Sequence, residues 1–190
     1  MNQPPAEFAR LLVLTDRNQL PPGRDLVSTI DACLQVGLHT VILRELDLAQ
    51  RERAELAAEL SALGARVIAA HEPLPTCVGV HVPAGVPARS GIWGRSCHAA
   101  EDVAVAADEG ALWATLSPFD ATASKPSYGP PIDRVAYAAL PIPTYALGGV
   151  TPANAAVAVA AGAHGVAVMG AVMRADDPAQ VVRDLLADFA

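Results

Sequence analysis

The sequence predicts an α/β fold, a compact (β/α)8 TIM barrel, from three observations. Short apolar runs alternate with helical stretches eight times along the chain, the pattern of a parallel sheet wrapped by helices. The hydrophobic fraction is 52% with only 4% aromatics, so small aliphatic residues build the core, as in strands covered on both sides. Polar residues collect where the apolar runs end, as at the C-terminal mouth of a barrel. A doubly wound open sheet is the competing arrangement, and eight countable units favour closure. At 190 residues the chain is short for a barrel, where roughly 200 or more is usual, so its loops must be trimmed.

The first strand is expected over residues 11–16. A helix follows over 25–36, where Leu26, Ile30 and Leu34 recur every four residues and Gly37 stops the run. The second strand, 39–45, ends in Arg44 and Glu45, and the second helix, 50–63, carries Leu56, Leu60 and Leu63 before Gly64. Strand three is 65–70. The connection after it, His71-Glu-Pro-Leu-Pro-Thr76, is too proline-rich for a helix, and so is 83–90 after strand four (78–82). The helices after strands three and four are therefore expected to be shortened or missing.

Strand five (91–96) leads to a helix over 99–108 with Glu101 and Asp102 in its first turn, a placement that suits the macrodipole. Strand six, 111–117, opens onto the longest irregular segment, 118–131, and long loops in compact domains are often functional. A short helix over 132–139, strand seven (143–147), a helix over 153–161, strand eight (164–169) and a final helix over 179–190 complete the count. Residues 1–8 read as a loose tail and 9–190 as one domain.

A net charge of −7 argues against nucleic acid, whose phosphates require a basic surface. Cys33, Cys77 and Cys97 leave an odd thiol and show no metal spacing, which favours a reducing cytoplasm. No basic start followed by an apolar run marks a secretion signal, and no apolar run approaches the ~20 residues of a membrane span.

Function is written most clearly in Tyr145-Ala-Leu-Gly-Gly-Val150, followed by Thr151-Pro-Ala-Asn154, and in Val166-Ala-Val-Met-Gly-Ala171. Each is a buried strand running into glycine and a helix start. Glycine lets backbone N–H groups approach an anion, and a helix N-terminus adds partial positive charge. After the seventh and eighth strands of a barrel, this is where a phosphate pocket commonly lies. Thr151 and Pro152 are expected as the cap and first residue of the helix.

The chain resembles the superfamily of thiamin phosphate synthase and thiazole tautomerase. The resemblance rests on Leu14-Thr-Asp-Arg17, Leu43-Arg-Glu45 with Asp47-Leu48, Gly79-Val-His-Val82, Gly94-Arg-Ser-Cys-His98, Thr115-Leu-Ser-Pro118 with Thr122-Ala-Ser-Lys-Pro126, Ala146-Leu-Gly-Gly149 and Gly165-Val-Ala-Val-Met-Gly170. These occur in the family's order and span nearly the whole chain. The resemblance implies a (β/α)8 barrel, often a homodimer, that binds a thiazole phosphate at the strand C-ends. In the synthase a pyrimidine pyrophosphate loses pyrophosphate with help from Mg2+, and the thiazole nitrogen captures the pyrimidine methyl cation. In the tautomerase a thiazole carboxylate phosphate is isomerised by proton transfer, without metal.

Carried over residue by residue, Gly148, Gly149 and Gly170 hold the phosphate. Lys125, the only lysine in the chain, falls on the motif that contacts pyrophosphate, with Thr122 and Ser124 as hydroxyl donors and Tyr128 and Gly129 shaping the loop. Arg44 serves pyrimidine or carboxylate recognition, and Ser96 is a further substrate contact. Trp93 and Trp113 are expected to be packing residues, and His81 a hydrogen-bonded structural histidine.

Departures from the synthase pattern bear on the reaction. Ile42 stands where the synthase has Gln, and Leu46 where it has a basic residue. His71 and Glu72 replace an Asn-Asp pair that supplies a Mg2+ ligand, and Pro83-Ala-Gly-Val86 lacks the second metal Asp. That loop and Gly-Arg-Ser-x-His suit the tautomerase, yet Pro118 occupies the position of its catalytic histidine. His98, Ser117 or His71 would then move the proton. The sequence reading puts tautomerase-like, metal-free acid–base chemistry first, with no cofactor. Synthase activity with an altered metal site, using Mg2+ through Glu72, is the alternative. A non-catalytic ligand-binding protein and another phosphosugar-type barrel isomerase are the remaining readings.

Overall fold

The computed structural model describes residues 8–121 and 130–189. Eight parallel strands close into a barrel: β1 (Leu11–Leu14), β2 (Thr40–Leu43), β3 (Arg66–Ala70), β4 (Gly79–Val82), β5 (Trp93–Cys97), β6 (Trp113–Leu116), β7 (Thr144–Leu147) and β8 (Gly165–Val168), with β8 pairing back onto β1. The expected fold class is correct, and each strand lies within its predicted segment or extends one residue past it.

Alternation along the strands makes two apolar layers. Inside the barrel, Leu12, Leu14, Ile42, Ile68, Ala70, Trp113, Tyr145 and Ala167 pack together. Their neighbours, among them Val13, Val41, Val67, Ala114 and Val166, face the helices. The interior is filled by pairing large with small. Trp113 lies over Gly94, where a Cβ would sit 2.2 Å from the indole, so the glycine makes room for the largest side chain in the lumen. Trp93 is buried on the outer side, and both tryptophans are packing residues as expected.

The helices are α1 (Leu26–Leu34), α2 (Gln50–Ala62), α3 (Ala100–Asp108), α4 (Ala155–Ala160), α5 (Gly170–Met173) and α6 (Pro178–Ala187). The starts of α1, α2, α3 and α6 are set by local carboxylates that satisfy otherwise unpaired amides. Asp25 accepts from the Ser28 N–H at 2.9 Å and Asp177 from the Gln180 N–H at 2.9 Å. Glu52 reaches back to the Ala49 N–H at 3.0 Å, and Asp102 accepts from the N–H groups of both His98 and Ala99.

No helix forms between β3 and β4 or between β4 and β5, as the prolines imply. Other groups cover the barrel there. Leu74 is buried in the first loop. Arg95, pointing outward from β5, donates to the Val86 carbonyl at 2.6 Å and pairs with Glu109 on the far side. Arg89 ties the second loop to Glu72 at 3.1 Å.

Four local expectations need correction. The segment after β6 yields only a 3-10 turn, Arg134–Tyr137, because Asp133 caps it by accepting from Val135 and Pro141 and Pro143 cut it short. Helix α4 begins at Ala155 rather than at Pro152. The Asn154 side chain folds back to the Thr151 N–H at 2.8 Å and the Gly149 carbonyl at 2.9 Å, closing a turn first. A short α5 precedes the last helix, which starts at Pro178 once Asp177 supplies the cap. Phe8, expected in the loose tail, packs its ring against Trp113 with centroids 6.1 Å apart; the rest of that tail and Ala190 lie outside the described residues.

Candidate active site

The polar side chains converge at the strand C-ends. On the β1–β2–β8 side the Arg44 N–H is fixed by Thr15 Oγ1 at 3.0 Å, and its Nη1 lies 3.0 Å from Met169 Sδ. Gly170 follows Met169 directly and opens α5. One turn on, Arg174 folds its guanidinium back over Gly170, where a Cβ would meet Nη1 at 2.3 Å. Arg174 also donates to Gln19 Oε1. Two guanidinium groups therefore flank the crossing after β8.

Glu45 braces this corner. It holds φ at 26° and accepts from the Arg17 N–H at 3.1 and 3.2 Å and from Arg17 Nη1 at 3.0 Å. Arg17 also clasps Asp47 through two bonds of 2.7 Å. The Glu45 side chain is 1% exposed and Asp47 51%, so Glu45 anchors the loop while the Asp47 pair is largely screened.

Even so, the Arg17 hydrogen bonds lower the Asp47 carboxyl to about 2. A depressed folded value means that the contribution is present above the unfolded pKa of ~3.9 and is lost as pH falls toward about 2. Carboxyl-resolved NMR titration should place Asp47 near 2, and Arg17→Met should return it toward 3.8. An unchanged midpoint would contradict the assignment of the shift to Arg17.

On the opposite side, β4, β5 and β6 point His81, Ser96 and Thr115 inward. His81 is buried. Its Nδ1 lies 3.0 Å from Trp113 Nε1, and its Nε2 lies 3.1 Å from Ser96 Oγ and 3.3 Å from Thr115 Oγ1. Burial lowers its pKa to about 3, with a smaller push from His71, so the ring is neutral. Beyond β5, His98 Nδ1 lies 3.1 Å from the Ser117 carbonyl and 3.3 Å from Ser117 Oγ. These two proton-transfer candidates are thus brought together. His71 stands apart at the end of β3, with φ of 67° and its N–H donating to the His81 carbonyl at 2.9 Å. Burial lowers its pKa, helped by Arg44 and Arg53.

Between β6 and β7 the chain packs backbone against backbone. Phe119 and Asp120 donate to the carbonyls of Leu147 and Gly148 at 2.9 and 3.0 Å. Gly148 and Gly149 hold φ of 88° and 71°, and a Cβ on Gly149 would lie 2.5 Å from the Ala121 carbonyl oxygen. Only glycine fits both the left-handed backbone and this approach. A cavity of about 230 Å3 opens at the N-terminal end of the barrel, lined by Leu12, Ile68, Trp113 and Tyr145; of the site residues named above only Trp113 reaches it, and Arg44, His81, Ser96, His98 and the paired glycines do not.

The thiamine monophosphate synthase family model matches residues 86–172. A relative from Geobacter sulfurreducens, which bears a provisional thiamine-phosphate synthase name, is 38% identical over 199 residues, 93% of this chain and 92% of that one. The chain belongs to the thiamine-phosphate synthase family. The Roseiflexus castenholzii thiamine-phosphate synthase is 35% identical across 91% of this chain and 85% of its own. The barrel of thiamine phosphate pyrophosphorylase from Pyrococcus furiosus superposes with a TM-score of 0.81 at 24% identity, over 94% of both chains; that likeness carries the fold. The relatives bear the synthase name and therefore favour the synthase over the tautomerase-like expectation.

Within this family, the residues expected on the loop after β6, namely Thr122, Ser124, Lys125, Tyr128 and Gly129, lie outside the described residues. Among the described residues no cluster of three or more His, Cys, Asp or Glu side chains could hold a metal ion. Glu72 is ion-paired with Arg89, and the loop after β4 carries no carboxylate. Mg2+ requires oxygen ligands in near-octahedral order, and this donor set does not fit a protein-held ion. Arg174 was not anticipated from sequence. The available signal was its position four residues after Gly170, which on one helical turn returns a long side chain over the helix start. No helix among the described residues is long and apolar enough to cross a membrane.

Proposed function

We propose that this protein joins a pyrimidine pyrophosphate to a thiazole phosphate, releasing pyrophosphate and forming thiamine phosphate. The observation that carries this reading is the near full-length identity of 35% to a thiamine-phosphate synthase. The barrel mouth is consistent with it: two arginines flank the last strand crossing, and paired glycines close the one before.

The reaction breaks a C–O bond and forms a C–N bond. The pyrophosphate leaves with the bonding pair, and the thiazole nitrogen donates its lone pair to the exposed methylene carbon. The protein's work is positioning and charge neutralisation. Gly148, Gly149 and Gly170 present backbone to the thiazole phosphate. Arg44 and Arg174 offset the anionic charge, Arg44 on the leaving group rather than in the pyrimidine or carboxylate recognition that the family resemblance implies. Ser96 donates a hydrogen bond to the substrate. His98 and Ser117 hold each other and shape the wall after β5 and β6, and this coupling asks no proton transfer of them or of His71.

The test is incubation with both substrates, with and without Mg2+, following thiamine phosphate as its fluorescent oxidation product. Product is expected. Isomerisation of a thiazole carboxylate phosphate in place of coupling would restore the tautomerase reading. Binding of both ligands without turnover would make the protein a non-catalytic binder, the reading that the poor metal donor set favours.

A further inference from the structure

We infer that His81 is a positioning residue, held in a single tautomer by Trp113 so that the Ser96 hydroxyl donates its proton into the barrel mouth. The inference rests on the reading that Ser96 contacts substrate, and it adds the device that decides which way that hydroxyl points.

The argument runs through donor and acceptor identities. An indole N–H can only donate, so the 3.0 Å contact from Trp113 Nε1 makes His81 Nδ1 an acceptor. A neutral imidazole with a lone pair on Nδ1 carries its proton on Nε2. That Nε2–H points at Ser96 Oγ, 3.1 Å away, with Thr115 Oγ1 at 3.3 Å as a second, longer neighbour. Ser96 Oγ therefore accepts from the ring, and its own proton is left to donate elsewhere. Ser96 is half-buried at the C-terminal end of β5, whereas His81, Trp113 and Thr115 are buried beneath it. The remaining direction for that proton is the mouth.

Packing makes the arrangement rigid. Trp113 lies over Gly94, and its ring plane is within 17° of that of His81, as an in-plane N–H···N bond requires. The indole is buried against the Gly94 backbone, which limits its freedom to turn its N–H away. Burial, which keeps the ring neutral, removes the alternative in which both ring nitrogens donate. The opposite tautomer would set Nδ1–H against the indole N–H and leave Nε2 as an acceptor, which would turn the Ser96 proton back into the core.

Two measurements test this on the intact protein. Long-range 1H–15N correlation of histidine-labelled protein should show His81 as the Nε2–H tautomer; an Nδ1–H ring overturns the inference without any variant. The second is a double-mutant cycle read as kcat/KM for thiamine phosphate formation. Ser96→Ala is expected to lose about tenfold to a hundredfold, and His81→Phe about tenfold. In the Ser96→Ala background, His81→Phe should change the rate by less than about twofold, because a residue acting through Ser96 has nothing left to orient. Full additivity would mean that His81 is merely structural. Should His81→Phe not fold, Trp113→Phe serves instead: it frees the ring to adopt Nδ1–H in the same spectrum and should bring the same loss. An unchanged rate in Ser96→Ala overturns the substrate-contact reading and this inference with it, whereas an impaired Ser96→Ala with an additive cycle overturns this inference alone.

Discussion

Arg44→Ala is expected to lower kcat/KM for thiamine phosphate formation by about 10²–10³-fold, the usual scale for removing one preorganised donor from a developing anion. The guanidinium presents a planar fork that matches phosphate oxygens. Its backbone is fixed by Thr15 and its side chain rests on Met169, one residue before Gly170, so the charge is aimed before substrate arrives. Little of the fold depends on it. The side-chain contact is to a thioether sulfur, a weak acceptor, and the residue is half-buried. Thermal unfolding should move by less than about 1 kcal/mol in stability. Arg44→Lys keeps the charge and loses the fork, so it should recover only part of the rate. A variant within threefold of the parent would remove Arg44 from the chemistry. A large fall in melting temperature would assign the loss to folding.

The comparison of Arg44 with Arg174 shows what a sequence of this type discloses. Arg44 ends an apolar run, and in a barrel the end of a strand is the mouth, so its place followed from the periodicity alone. Arg174 lies in a stretch that reads as a loop between strand eight and the last helix. Its contact with Gly170 exists only because four residues there wind into α5. The same logic separates the elements. Glycines and prolines punctuate the chain strongly, so the eight strands and the missing helices after β3 and β4 were readable. The turn before α4 was not, because Asn154 bonds back to Thr151 and Gly149, and such a side-chain bond competes with helix initiation without altering the hydrophobic pattern.

His81 marks a different boundary. In strands buried on both faces, alternation does not say which side is the lumen, so its direction and its three partners were open. Its partners come from β5 and β6, 15 to 34 residues away, and that juxtaposition is created by barrel closure. The reaction was the least legible feature. The altered pair His71-Glu72 and the loop Pro83-Ala-Gly-Val86, which lacks the second metal Asp, argue locally against the synthase, whereas identity spread over more than nine-tenths of the chain argues for it. A handful of positions governs metal affinity, while the barrel involves most of the chain.

Gly149→Ala should cost stability and ligand together, and Gly148→Ala provides its control. Both glycines lie in the left-handed region, at 71° and 88°, so each alanine carries a similar backbone penalty of about 1–2 kcal/mol. The surroundings differ. A Cβ on Gly148 would approach Pro118 Cα at 3.3 Å, which a shift of a few tenths of an ångström relieves, whereas on Gly149 it would lie 2.5 Å from the Ala121 carbonyl oxygen and 2.6 Å from the Asp120 backbone. Those are main-chain atoms, and Asp120 is held by Gly148 and by Asn154, so the loop after β6 must move as a unit. Overpacking of this kind adds about 1–3 kcal/mol. Urea denaturation should therefore rank Gly149→Ala below Gly148→Ala by that margin, and calorimetry with thiazole phosphate should give no measurable heat for Gly149→Ala, because the displaced loop borders the amides proposed to hold the phosphate. Equal stabilities would mean that the loop yields freely. Retained binding in a destabilised Gly149→Ala would place the phosphate away from these glycines.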